Sequence, residues 1–150
     1  MNITRRSLFA LGAGASFMLA GLKASPVYAG VEETMAKIKE FAGGKEPASG
    51  TLSLNAPEIA ENGNTVPISV SVESPMTADD YVESVVIYAE GNPSPEVITF
   101  NFTPMSGEAT ATTRMRLAKT QNVVAVARTS TGGIFMDKKE VKVTIGGCGG

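Results

Sequence analysis

A chain of 150 residues with 43% hydrophobic residues, 16 glycines and 19% charged residues fits one modest domain, not a multidomain enzyme. It contains no histidine and one cysteine, which excludes histidine acid/base catalysis, imidazole or haem-histidine ligation, cysteine-cluster zinc sites and any internal disulfide. With 13 basic and 15 acidic residues, no Trp and 6% aromatics, it is poorly supplied with platforms for stacking nucleobases.

The first predicted element is an export signal over residues 1–29. Arg5 and Arg6 precede Ser7-Leu8-Phe9, and an uncharged run from Leu8 to Leu22 follows. The run spans 15 residues, short of the roughly 20 that a membrane-crossing helix needs. Val27-Tyr28-Ala29 is a small-residue cleavage pattern, so cleavage is expected after Ala29. The arginine pair resembles a twin-arginine address, read by a receptor that exports folded protein, with Leu8 and Phe9 in swapped order. The expected destination is the periplasm. Loss of Arg5, Arg6 and Lys23 leaves 10 basic residues against 15 acidic ones, a net charge of −5. Nucleic acid and anionic membrane are poor partners for that balance.

Residues 30–145 form the expected domain. Val31 to Phe41 reads as one short helix: Val31, Met35 and Ile38 follow i, i+4, i+7 spacing, Glu32 and Glu33 lie near the positive end of the dipole, and Gly43-Gly44 stops it. From Thr51 the period becomes two. Val66, Ile68, Val70 and Val72 alternate with Pro67, Ser69, Ser71 and Glu73. Ile98, Phe100 and Phe102 repeat the pattern, as do Ala109 to Leu117 on odd positions and Val141, Val143 and Ile145. Denser apolar runs at Tyr81–Ala89 and Val123–Ala127 predict central strands covered on both sides. Turn chemistry separates the runs at Glu61-Asn62-Gly63-Asn64, Gly91 to Pro95, Ser106-Gly107 and Thr131 to Gly133. About seven short strands predict a mainly β fold, an immunoglobulin-like antiparallel β-sandwich preceded by one short helix, with a small barrel as the alternative.

Few charged groups in this region suggest chemistry. Asp79, Asp80 and Glu83 match no calcium loop and are expected to solvate or cap a turn. Arg114 and Arg116 share one side of a strand and could receive an anion, although surface solvation is the default. The seven methionines are scattered and build no copper site.

The last predicted element is Gly146-Gly147-Cys148-Gly149-Gly150. Glycine pairs leave the thiol without neighbouring side chains, so 146–150 reads as a flexible arm able to enter a narrow slot. Fully extended, it places Cys148 roughly 10 Å past Ile145. A lone thiol can form covalent sulfur adducts or bond to another chain, but it has no resolving partner. No nearby cation lowers its pKa, so activation has to come from a docked enzyme. A structural subunit stapled through an intermolecular disulfide remains the alternative. Activation of the terminal Gly-Gly carboxylate, as in ubiquitin-like sulfur carriers, runs against export away from ATP. Prenylation needs three residues after the cysteine, and here there are two.

The terminal glycine-cysteine motif, Arg114-Met115-Arg116-Leu117-Ala118, Thr120 to Ala127, and Glu61-Asn62-Gly63 to Val66-Pro67 together resemble the SoxY family. The likeness covers essentially the whole chain. It implies a non-enzymatic carrier that holds the intermediates of periplasmic thiosulfate oxidation covalently on Cys148. The implied partners are a small SoxZ-type subunit in a heterodimer, a haem enzyme that couples thiosulfate to the thiol, a sulfate thiohydrolase with a two-manganese site and, where present, a sulfane dehydrogenase. The carrier itself is expected to need no cofactor, and its glycines 146, 147, 149 and 150 let the cargo travel.

Overall fold

The computed structural model describes residues 30–147. The export signal with Arg5, Arg6 and the cleavage point after Ala29 lies outside the described residues, as do Cys148, Gly149 and Gly150.

Helix α1 (Val31–Phe41) has the bounds that the sequence predicts. Gly43 and Gly44 stop it at φ of 62° and 82°, a left-handed conformation that glycine adopts without strain, and their amides donate to the carbonyls of Glu40 and Lys39. Its buried face differs from the predicted stripe. Thr34, Ile38 and Ala42 turn inward, whereas Val31 and Met35 are more than half exposed. The helix ends at the sheet with Ile38 and Ala42 as its anchors, so the contact face runs 34-38-41-42 and shares Ile38 alone with the apolar stripe.

Eight strands follow in two sheets. β1 (Leu52–Asn55), β3 (Val66–Val72) and β6 (Ala109–Met115) make a three-stranded antiparallel sheet in the order β1-β3-β6. β2 (Ile59–Ala60), β4 (Val82–Ala89), β5 (Glu96–Asn101), β7 (Gln121–Thr129) and β8 (Ile134–Val143) make the other, ordered β2-β8-β7-β4-β5. This is the expected mainly β, immunoglobulin-like sandwich. One pairing is parallel: Ile59 and Ala60 lie beside Lys142 and Val143. The odd-numbered apolar positions of β6 face inward across β3, with Val66 opposite Met115 and Val72 opposite Ala109, while Ser71, Thr110, Thr112 and Arg114 meet water.

The interior is built in two layers because β4 and β7 have two buried faces. Val85, Ile87, Val123, Ala125 and Ala127 point at Leu54, Ile68 and Val70 of the opposite sheet. Their alternate neighbours Val86, Tyr88, Val124 and Val126 point the other way, under Ile38, Phe41 and Ala42. That second layer is why the two central runs lack clean alternation. Two expectations change here. Ile145, predicted to continue the inward set of Val141 and Val143, is 66% exposed, because β8 ends at Val143 and the chain then leaves the sheet. β8 also begins at Ile134, well before the run at Val141 that marks it in the sequence.

Tyr88, 1% exposed in the layer beneath the helix, has its phenol pushed up to about 12 from 10.0, first by desolvation and then by the charges of Glu96 and Glu40. The fold therefore favours the neutral phenol, and the unfolded chain ionises first. The contribution is fully present below pH 10.0 and is lost as pH rises toward about 12. Melting temperatures recorded through this window are expected to fall more steeply for the native protein than for Tyr88→Phe. Parallel curves would show that the phenol has no part in alkaline unfolding.

Candidate functional site

The chain reaches the cysteine along a path set by backbone hydrogen bonds. After β8, the Thr144 amide donates to the Ala60 carbonyl at 3.0 Å, prolonging the parallel pairing by one step. Three further bonds tie the next residues to two distant segments. The Gly63 amide donates to the Ile145 carbonyl (2.7 Å), the Leu117 amide to the Gly63 carbonyl (2.8 Å), and the Gly147 amide to the Leu117 carbonyl (2.9 Å). The root of the tail is thus held between the 61–64 turn and the stretch that follows β6.

These glycines are required for space. A Cβ on Gly63 would fall on the Leu117 carbonyl oxygen and 2.7 Å from the Gly147 nitrogen; one on Gly146 would fall on the Ala118 carbonyl. A Cβ on Gly147 would stand 2.7 Å from the Gly63 oxygen. All of these obstacles are backbone atoms that cannot swing aside. Gly147 is buried, so residues 146 and 147, expected from the sequence to begin a free arm, belong here to the docked framework. Absence of a side chain serves close approach at these positions, where the sequence suggested mobility.

A buried polar cluster fixes the shelf against which the tail rests. Asn92, 1% exposed, donates from Nδ2 to the Arg116 carbonyl (2.9 Å), and its Oδ1 accepts from the Ala118 amide (3.0 Å) and from Gln121 Nε2 (2.9 Å). Gln121 Oε1 in turn accepts the Gly91 amide at 2.7 Å. Leu117, fully buried, is therefore flanked by two backbone groups that Asn92 holds. The 61–64 turn is shaped locally: the Asn64 amide donates to Asn62 Oδ1 at 2.9 Å. In the sequence Gly91-Asn92 reads only as a turn, and Gly63 as a turn residue within a stretch that carries the family resemblance, with no contact to the tail implied. The one available sign of more was a glycine in each place beside an amide side chain.

Other candidates are not drawn into a site. Glu83 pairs with Arg128 at 3.0 Å, with both side chains substantially exposed, and Arg128 also stacks over the Phe41 ring. Asp80 closes a turn with Thr77, its carbonyl accepting the Thr77 amide at 2.9 Å. Arg114 and Arg116 are exposed. Among the described residues no group of three or more His, Cys, Asp or Glu is gathered as a metal site, and no helix is long and apolar enough to cross a membrane.

Comparison with known proteins places this framework. The family model described as sulfur oxidation protein SoxY matches residues 38–148. The solved structure of the sulfur carrier protein SoxY from Chlorobium limicola f thiosulfatophilum is 32% identical, with 76% of this chain and 99% of that one covered and a TM-score of 0.60. A variant of the superoxide reductase (neelaredoxin) from Ignicoccus hospitalis is 26% identical over 62% of this chain and 79% of that one, with a TM-score of 0.57. A putative superoxide reductase from Thermotoga maritima shares the fold at 21% identity and a TM-score of 0.54, over 69% of this chain and 89% of that one. Among curated proteins none matches the chain.

Proposed function

Because the chain belongs to the SoxY family, we propose that it is a covalent sulfur carrier whose attachment point is Cys148. The observation that carries this reading is the extent of the family match, which runs from residue 38 through the cysteine itself. Cys148 is the one thiol available, since the chain has a single cysteine. The absence of histidine from the whole sequence gives it no imidazole base of its own, in keeping with a substrate handled by other enzymes.

A haem enzyme accepts two electrons as the Cys148 thiol loses its proton and its sulfur forms a bond with the outer sulfur of thiosulfate, giving a cysteine S-thiosulfonate. Water then attacks the sulfone in a thiohydrolase; the sulfur–sulfur bond to the sulfone breaks, releasing sulfate and two protons and leaving a persulfide anion on Cys148. Where a sulfane dehydrogenase is present, it removes six electrons from the outer sulfur, which takes its oxygens from water and becomes a new sulfone, and a second hydrolysis restores the thiol. We place these steps in the periplasm, after a twin-arginine signal directed by Arg5 and Arg6 has been cut after Ala29, with a SoxZ-type subunit as the heterodimer partner. Gly149 and Gly150 leave the thiol without flanking bulk, and Gly146 and Gly147 add to that narrow path when they leave their contacts with residues 63, 117 and 118.

The intact mass of the protein purified without reductant from cells grown on thiosulfate tests cleavage and cargo together. The expected result is a chain beginning at Gly30 that carries sulfur or thiosulfonate additions, mapped to the last peptide and lost on reduction. A bare thiol, or a fixed disulfide to another subunit, would overturn the carrier reading.

A further inference from the structure

We propose that Gly63 is a positioning residue for the carrier thiol: it closes a backbone clasp on Gly147 that keeps the arm short, and the arm lengthens when the clasp opens. This rests on the carrier reading of Cys148.

Three observations converge on the clasp. The bonds Gly63 N–H to Ile145 O, Leu117 N–H to Gly63 O and Gly147 N–H to Leu117 O form one continuous set, so Gly63 is bonded on both sides to the elements that grip the tail. The space is closed to any side chain, because a Cβ on Gly63 meets the Leu117 oxygen, the Gly147 nitrogen at 2.7 Å and Val143 Cγ1 at 2.9 Å. The grip has a rigid back: Leu117 is fully buried, and Asn92 holds the carbonyl before it and the amide after it. Gly63 does not have a positive φ, so close approach alone demands glycine here, and alanine would perturb the clasp without straining its own backbone.

The consequence is a tether with two lengths. Cys148 follows Gly147 directly, so a held Gly147 amide leaves the thiol on a single residue of leash. With the clasp open, the next anchor back is the Thr144 amide on the Ala60 carbonyl. Residues 145–147 are then released, adding roughly 10 Å of reach at about 3.3–3.6 Å per extended residue. A few backbone bonds at the domain edge open far more often than the whole fold, so both lengths are accessible to one carrier.

Amide hydrogen exchange on the purified protein, with a nitroxide label on Cys148 read by electron paramagnetic resonance, tests this without any sulfur substrate. In the native protein the Gly147 and Leu117 amides are expected to be protected. In Gly63→Ala the amide at 147 should exchange at least about tenfold faster and the label spectrum should narrow, while amides in β4 and β7 keep their rates. Unchanged exchange at 147, or an unchanged label spectrum, overturns the clasp. If Gly63→Ala does not fold, Gly147→Ala decides. Its Cβ meets the Gly63 oxygen from the tail side, away from both core layers, and the same two changes are required. Failure here would leave covalent carriage by Cys148 untouched, and absence of sulfur adducts would leave the exchange result standing.

Discussion

Cys148→Ser is expected to reduce sulfur-compound turnover in a reconstituted system to background, with no adduct on the intact mass and a melting temperature within a degree or two of the native protein. A serine hydroxyl cannot form the sulfur–sulfur bond that each proposed intermediate needs, and the chain has no second cysteine to take its place. Stability should be spared because serine differs from cysteine by one atom, and the buried residues of both described core layers fall between Ile38 and Val141. Partner binding discriminates the alternatives. A carrier keeps its partner when the thiol is removed, whereas a subunit stapled by an intermolecular disulfide loses it. Persistent turnover in the serine variant would place the chemistry on some other group.

The largest effect on stability is expected from Asn92→Ala. Three hydrogen bonds converge on this buried amide, and truncation strands the Arg116 carbonyl and the Ala118 amide while removing one of two acceptors from Gln121 Nε2. At about 1–3 kcal/mol for each buried group left unpaired, a loss of about 3 kcal/mol follows. It should shift the urea midpoint with an unchanged slope, the mark of a stability change within a two-state transition. Asn92→Asp keeps the acceptor for Ala118 and Gln121 but places a carboxylate oxygen against the Arg116 carbonyl, so it should lose stability as well. A change below about 1 kcal/mol for the alanine variant would mean that water replaces the amide and that the shelf under the tail does not depend on it.

Much of the sandwich was legible because period-two alternation is a direct imprint of a sheet with one wet face, as in β3 and β6, and because a run such as Val123–Ala127 can only be sustained with cover on both sides. What escaped had weaker imprints. β2 is two residues long, and the first half of β8 reads Phe135-Met136-Asp137-Lys138-Lys139-Glu140, a charged stretch in which Asp137 is spent on the Leu54 amide at 2.8 Å. The helix stripe misled because Thr34, a residue of no hydrophobic signal, takes the buried place that Val31 and Met35 leave. The thiol-bearing motif was visible by its composition, but the anchoring of its first two glycines was not. Glycine looks the same in a sequence whether it grants freedom or permits contact, and the contacts that decide between these involve residues 63, 117 and 147, which only the closed sandwich brings together.

Helix α1 joins the domain by a different kind of bond from every strand. Among the described residues its backbone hydrogen bonds stay within itself and its own C-terminal turn, and it meets the sheet through the side chains of Ile38, Phe41 and Ala42. No ladder has to break for it to lift. It is therefore expected to be the first cooperative unit to detach on mild destabilisation, uncovering Val86, Tyr88, Val124 and Val126 as a sticky patch while the sandwich stays closed. Vulnerability to aggregation in this protein would then be governed at the opposite end of the described domain from the attachment point proposed at Cys148.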